Sequence, residues 1–442
     1  MRQSSLASPG ILASAAAVVL LASACGGTNS AQSSATTGGT GGTAGASSSS
    51  SSSSTTSSSS GTGGMASVSY PAAHPAAPQV AQGPGSVLAN PNFIPVFFAG
   101  DDVPTETAVE DFVGKLGAST YWSTVTSEYG VGGATAGTAV ILTQTAPATL
   151  DGSTIPAWID AQLAATPPTL PTPDANTIYV LHYPASTTIT LTSSLQGTST
   201  SCVDFGGFHQ TAALADNSPV AYAVIPRCAK LGDLTGLDEL TGAESHELVE
   251  AATDPTPTQT GAAYDEPDPA DLFWELGLGG GEVGDMCAQN PAAFYKDTAL
   301  GYTVQRIWSN KAAAASHDPC VPAPQGEVYF NAVPNPGTTV QVFGIDMNGV
   351  SIPVGQSKTI EVDLFSDAAT AVPITVKAVD VASAMGQAAE LSFSWDKTTG
   401  VNGDKLHLTI KSLVAGQLGG SDYVLVSAVG TEDNLWVGLV AN

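Results

Sequence analysis

Apolar residues recur along this chain in two periods, and the change of period divides it. Ala108, Phe112, Val113 and Leu116 stand at helical spacing, which predicts a helix over residues 105–116. Asp151 ahead of Ile155, Pro156, Ala157, Trp158 and Ile159 reads as the start of a second helix, stopped by the Pro167-Pro168 pair. Runs rich in β-branched residues at 139–142, 177–182, 187–191 and 220–225 are expected as strands. Good helix formers return over 244–252 and Pro255 ends them. Residues 90–322 are thus expected to form one α+β domain.

Beyond Pro322 the period shortens to two. Ile360, Val362 and Leu364 alternate with Thr359, Glu361 and Asp363, and the same alternation marks Ile374 with Val376, Leu391 with Phe393 and Trp395, Leu406 with Leu408 and Ile410, and Tyr423 with Leu425. Short alternating strands between Gly, Asp and Asn turns predict an all-β, immunoglobulin-like sandwich over 323–442. His407 falls opposite the apolar positions as a solvated strand residue, and nothing in this region suggests catalysis. A spacer or binding module is the expectation.

The N-terminal stretch has a different texture. Arg2, an apolar run over 11–21 and Ala22-Ser23-Ala24 before Cys25 make the three-part build of a secretory signal over residues 1–24. The run is too short to span a bilayer and no stop-transfer charges follow it. The small residues ahead of Cys25 resemble the bacterial lipoprotein cleavage box, which implies a lipid on the Cys25 sulfur and contact with the membrane through that anchor alone. Residues 25–89 are expected as a disordered linker, because Ser, Thr, Gly and Ala dominate from Gly26 to Ala66 and a Pro-rich stretch follows. A flexible coil of about 40 residues has ends roughly 35 Å apart.

With Cys25 lipidated, Cys202, Cys228, Cys287 and Cys320 form an even set, so two disulfides and an oxidising compartment are expected. Of the three pairings, Cys202 with Cys228 and Cys287 with Cys320 are favoured, since each brackets a compact stretch. Lys and Arg number 12 against 39 Asp and Glu, a net charge of −27 that repels phosphate backbones and excludes nucleic acid as a partner.

Candidate chemistry concentrates in Glu244-Ser245-His246-Glu247-Leu248-Val249-Glu250. His246 and Glu250 are four apart on one helix face, where an imidazole and a carboxylate can meet one metal ion. Glu247 stands where the zincin motif His-Glu-x-x-His places its general base, and Glu250 replaces the second His. Zinc accepts a carboxylate ligand, and a third ligand could come from Gly281-Glu282-Val283-Gly284-Asp285. Between Asp265 and Asp285 the acidic residues Asp265, Glu266, Asp268, Asp271, Glu275, Glu282 and Asp285 interleave with Pro and Gly, which suits calcium without matching an EF-hand loop. His182, in an apolar strand, is expected as a satisfied core histidine and His317 as a turn residue. His209 is expected to cap a buried network, with approach to the metal as the alternative.

Four ordered motifs carry a family resemblance. They are Ser201-Cys202 with Gly206-Gly207-Phe208-His209, His246-Glu247 through Thr253-Asp254-Pro255, Gly281-Glu282-Val283-Gly284-Asp285-Met286-Cys287, and Val304-Gln305-Arg306-Ile307-Trp308-Ser309-Asn310 leading to Cys320. In these the chain resembles the Exordium or phosphate-induced protein family of plant cell walls and its bacterial relatives. The resemblance implies an extracellular protein and a zincin-type site at His246, Glu247, Glu250, Glu282 and Asp285. Asp254 stands where plant members tend to carry Asn, and Gly206 where they tend to have a further Cys; the first adds an oxygen ligand and the second alters the disulfide plan.

Two functions are therefore expected. The first is a lipid-anchored, cell-surface zinc hydrolase, foremost a metallopeptidase, in which His246, Glu250 and Glu282 hold zinc, Asp285 is the substitute third ligand and Glu247 activates water. The other is a non-catalytic envelope protein with a structural metal and a sandwich that binds a wall polymer or partner. Calcium is the rival to zinc. A soluble periplasmic ligand-binding protein would need a large apolar pocket that no pattern here announces.

Overall fold

The computed structural model describes residues 69–193, 197–256, 261–416 and 419–442. The expected signal and Cys25 lie outside the described residues, as does residue 68 and everything before it. Within them a mixed sheet flanked by helices is followed by a β-sandwich, and the chain is β-rich throughout.

The elements that position the site are, in chain order, β1 (Asn92–Phe97), α1 (Val103–Leu116), α2 (Thr120–Thr126), α3 (Ile155–Ala164), β2 (Thr177–Tyr183), β3 (Phe208–Ala213), β4 (Pro219–Pro226), α4 (Gly236–Thr253), α5 (Phe273–Leu278), α6 (Asp285–Ala288) and β5 (Tyr302–Gln305). β1, β2 and β4 run parallel and adjacent, and β3 closes one edge antiparallel to β4. The short strands Thr135–Ala136 and Val140–Ile141 extend the other edge beside β1. A parallel strand covered on both faces reads as a continuous apolar run, and β2 is buried along its whole length. Alternation divides its partners. Phe93, Phe97, Ile178, Val180, Ala221 and Ala223 face the side of α1, α2 and α4. Ile94, Val96, Tyr179, Leu181, Tyr222 and Val224 face α3.

α1 begins where Asp102 accepts from the Thr105 amide, a side-chain N-cap that starts the helix two residues ahead of the expected position. The remaining helix and strand expectations in this domain agree to within a few residues apart from α4, which runs a further two turns back to Gly236.

The linker expected up to residue 89 ends earlier, because residues 69–89 pack onto the fold. Val80 and Leu88 are buried. Ala81, Gly83 and Gly85 donate backbone hydrogen bonds to Glu266, Ala263 and Ala262, and Leu88 donates to Ala252. His74 stacks on Phe365 with ring centroids 3.7 Å apart. The approach of Gly83 to the loop needs glycine, since a Cβ there would stand 2.3 Å from the Ala262 carbonyl oxygen. A Pro- and Gly-rich string without period therefore looks like linker in sequence while serving as a strap.

The sandwich follows the period-two pattern. One sheet orders β6 (Phe330–Asn335), β7 (Ser357–Ser366), β10 (Lys405–Ser412) and β9 (Leu391–Trp395) as β6-β7-β10-β9, and the other orders β8 (Ile374–Asp380), β11 (Gly420–Val429) and β12 (Glu432–Ala441) as β12-β11-β8. Ile360, Val362, Leu364, Leu406, Leu408 and Ile410 meet Ile374, Val376, Tyr423, Leu425, Val437 and Leu439 in its interior. α5 docks on this sandwich through Trp274, which lies edge-on to Trp436 at 5.3 Å and to Trp308 at 6.0 Å. One core therefore runs without a break from the mixed sheet into the sandwich. Cys202–Cys228 and Cys287–Cys320 are both bonded, the two pairs expected, as suits a chain that folds in an oxidising compartment. Among the described residues no helix is long and apolar enough to cross a membrane.

Candidate metal centre

α4 is buried on every side from Glu239 to Thr253, between β3 and β4 on one side and β5 on the other. A helix so enclosed is ordinarily apolar all round. This one carries His246, Glu247 and Glu250 on one stripe, continued by Asp254 at its C-terminal cap. On β3, Phe208 and Ala212 join the cluster on the α3 side of the sheet. Alternation then turns His209 and Thr211 towards α4, and Thr211 Oγ1 donates to the Pro255 carbonyl at 3.2 Å. Glu282 and Asp285 come from the turn into α6, which is pinned by the Cys287–Cys320 bridge and by the Trp308 amide donating to the Val283 carbonyl at 2.8 Å.

These side chains converge. His246 Nε2 lies 2.9 Å from Glu250 Oε2 and 3.6 Å from Asp285 Oδ1. His209 Nε2 is 3.2 Å from Glu282 Oε1, and its Nδ1 is 3.5 Å from Glu247 Oε2 and 3.7 Å from Glu250 Oε2. His209, His246, Glu247, Glu250, Asp254, Glu282 and Asp285 are each 0–2 % exposed. The expected third ligand Glu282 thus sits beside His209, and the substitute Asp285 sits beside His246. His209 enters the cluster itself, the alternative to the cap that its sequence context favoured.

Gln305 sets the chemistry of His246. Its Nε2 donates to the Gly284 carbonyl at 2.7 Å, so its Oε1 faces the imidazole and accepts from Nδ1–H at 3.0 Å. In the neutral imidazole Nε2 would then carry the lone pair, the tautomer a metal ligand requires, while without a metal the neighbouring carboxylates favour a proton there. Glu250 is divided in the same way. Its Oε1 accepts from the Gly284 and Asp285 amides, both at 3.1 Å, and its Oε2 faces His246 Nε2 at 2.9 Å. Close approach is kept open by glycine: a Cβ on Gly284 would lie 2.7 Å from both Glu250 Oε1 and His246 Nδ1, and one on Gly207 would lie 2.6 Å from Glu247 Cγ.

The electrostatics agree. Burial lowers the pKa of His246, but Glu250, Glu247 and Asp285 outweigh it and hold the imidazole well above its ordinary value. Burial likewise works against charge on His209, and Glu282, Glu247 and Glu250 override it. Burial raises Asp285 well above the carboxylate range, with Glu250 adding to the shift. Glu247 is raised by burial too, against the pull of His209 and His246. Without a cation, protons must neutralise this cluster.

A metal ion fits the donor set. Zinc bonds of about 2.0–2.1 Å in a tetrahedron place ligand atoms roughly 3.3 Å apart. His246 Nε2 lies 2.9 Å from Glu250 Oε2 and 3.6 Å from Asp285 Oδ1, and His209 Nε2 lies 3.2 Å from Glu282 Oε1. His209, Glu250 and Glu282 offer ligand atoms within 4.8 Å of one another, as do His246, Glu247 and Glu250.

No family model matches the chain. No curated protein matches it either. Among solved structures, domains 4 and 5 of the S-layer protein SbsC align over 28% of this chain and 81% of that one, at 13% identity and a TM-score of 0.16. The titin M3 domain aligns over 26% of this chain and 94% of that one, at 12% identity and a TM-score of 0.16. Matches of that extent leave the site to be argued from its own geometry.

The other histidines lie elsewhere. His182 Nε2 pairs with Glu244 Oε1 at 3.1 Å inside the core, His317 pairs with Asp367 at 3.2 Å, and His407 pairs with Asp396 at 2.8 Å, the latter two on exposed side chains. Sequence reasoning missed Gln305 as a functional residue. It was visible as a polar position in the motif running to Trp308, but no periodicity tells that it faces α4.

Proposed function

We propose that this chain is an exported, lipid-anchored envelope protein whose central domain is built around a buried zinc centre. The closure of the site carries this reading: every candidate ligand is 0–2 % exposed, and a closed site with its coordination filled by protein groups is the structural kind. Glu250 would hold the ion together with His246 and Glu247 or with His209 and Glu282, the two sets whose ligand atoms converge. In that role the metal joins α4, β3 and the turn into α6, three segments far apart in sequence. The Ser-rich leader and Cys25 support attachment to a membrane, and the resemblance to the Exordium family supports a place in the cell wall or envelope. The sandwich is then the module that meets a wall polymer or partner.

A second reading is the zinc-dependent hydrolase, a metallopeptidase on a zincin-like α+β frame. Glu247 favours it: the carboxylate stands beside His246 and lies 3.5 Å from His209 Nδ1. Zinc supplies an activated water in such enzymes. Glu247, raised by burial and adjacent to two imidazoles, would take and return the proton. Zinc-loaded protein offered a panel of peptides and wall polymers decides between the two. The structural reading expects no turnover by wild type. Turnover by wild type that Glu247→Gln abolishes while zinc stays bound would establish the hydrolase instead.

A further inference from the structure

We infer that Asp254, Asp265 and Glu282 form a second, all-oxygen cation site that takes calcium beside the zinc centre and shares Glu282 with it.

The three carboxylates come from different segments: the C-terminal cap of α4, the loop after residue 261, and the turn into α6. Each offers an oxygen within 4.8 Å of the other two. Asp254 supplies the observation that makes this more than a patch of acid. It is wholly buried, its Oδ1 accepts from the Ala263 amide at 2.7 Å, and its Oδ2 is buried without a hydrogen bond. A buried carboxylate oxygen without a donor is destabilising, and no Lys or Arg lies within ion-pair distance of Asp254 or Asp265 among the described residues. The positive group acting on both is His209, which faces the other centre.

The loop that carries Asp265 is held in place. Val80 bridges to Pro267, and the amides of Ala81, Gly83 and Gly85 bond the carbonyls of Glu266, Ala263 and Ala262. The strap over residues 69–89 therefore brings Asp265 to Asp254, which gives that otherwise featureless stretch a purpose.

Donor chemistry separates the two sites. The set around His246 and His209 contains nitrogen and suits zinc, whereas an oxygen-only set suits a hard cation that tolerates irregular geometry, which is calcium. Three carboxylates in an extracellular module correspond to a dissociation constant on the order of 10⁻⁴ to 10⁻³ M. Glu282, with Oε1 3.2 Å from His209 Nε2, links the sites.

The test uses the exported chain stripped of metal, reloaded with one equivalent of zinc and titrated with calcium chloride by calorimetry. Wild type is expected to take up one calcium ion. Asp265→Asn and Asp254→Asn are each expected to weaken that uptake at least tenfold with zinc content unchanged, and His246→Ala to lose zinc while still binding calcium. No calcium uptake by zinc-loaded wild type at millimolar concentration overturns the site, as does wild-type affinity in folded Asp265→Asn. Uptake of a second zinc ion that calcium cannot displace overturns its assignment to a hard cation. A chain that binds calcium but no zinc leaves this site standing and refutes the zinc centre alone.

Discussion

Replacing Gln305 by Leu tests how the centre is preorganised. The side chain is fully buried and makes two well-formed hydrogen bonds, to His246 Nδ1 at 3.0 Å and to the Gly284 carbonyl at 2.7 Å. Leucine keeps most of the volume and removes both. Two such bonds contribute about 0.5–1.5 kcal/mol each, and the stranded Gly284 carbonyl costs about 1–3 kcal/mol more, so the variant should lose about 2–6 kcal/mol in urea unfolding of the metal-free protein. The effect on the metal is separate. With no acceptor at Nδ1, the imidazole can turn or change tautomer, and losing such a support typically weakens metal binding 10- to 100-fold. Competition against a chromophoric zinc chelator reads that change directly. Gln305→Glu keeps an acceptor for Nδ1–H and should bind zinc more tightly than the Leu variant does. A folded Gln305→Leu protein that binds zinc with wild-type affinity would refute the assignment of His246 Nε2 as the ligand atom.

Four further outcomes are expected. Gly284→Ala places a methyl 2.7 Å from Glu250 Oε1 and His246 Nδ1 and should reduce zinc affinity without altering the sandwich, which zinc competition and near-ultraviolet circular dichroism measure together. A chain starting at Asn90 loses the burial of Val80 and Leu88, about 1.5–3 kcal/mol each, and should unfold at markedly lower urea than one starting at Ser69; equal midpoints would contradict the strap. Replacing Cys287 and Cys320 by Ala opens a bridge across 33 residues and should cost about 3–4 kcal/mol by the chain-entropy relation, read as a fall in Tm. The pH dependence has a definite sign. Burial raises Asp254 to about 8, and it raises Glu247 and Asp285 above their ordinary values. Their contribution is complete at pH below the ordinary carboxylate range and fades as pH climbs through the raised values. His209 and His246, held high by neighbouring carboxylates, likewise lose their contribution as pH rises. Metal-free protein should therefore be less stable at pH 8 than at pH 5, and the gain in Tm on adding zinc should widen over that interval; a gain that narrows contradicts the arrangement.

Local pattern carried much of the fold. Ile360, Val362 and Leu364 on β7 alternate because one face is buried, and that alternation is readable in any strand of the sandwich. The stripe of His246, Glu247 and Glu250 was readable because helical spacing is a local property. Bringing Glu282 and Asp285 to it needed only the order of motifs, and the structure distinguishes the two, giving Asp285 to His246 and Glu282 to His209. What pattern did not disclose depends on contacts between distant segments. His209 faces α4 because β3 takes the antiparallel edge place beside β4, which nothing near His209 encodes. Gln305 reaches His246 through the packing of β5 on α4. The strap over residues 69–89 is held by backbone hydrogen bonds and glycine contacts that leave no hydrophobic period.

The most direct measurement is the elemental content of the exported, disulfide-bonded chain from Ser69 onward, compared with its His246→Ala variant. One zinc ion per wild-type chain, absent from the variant, is the result expected of a centre built on His246 Nε2. A wild-type chain free of transition metal, or a zinc content unchanged in the variant, would contradict it.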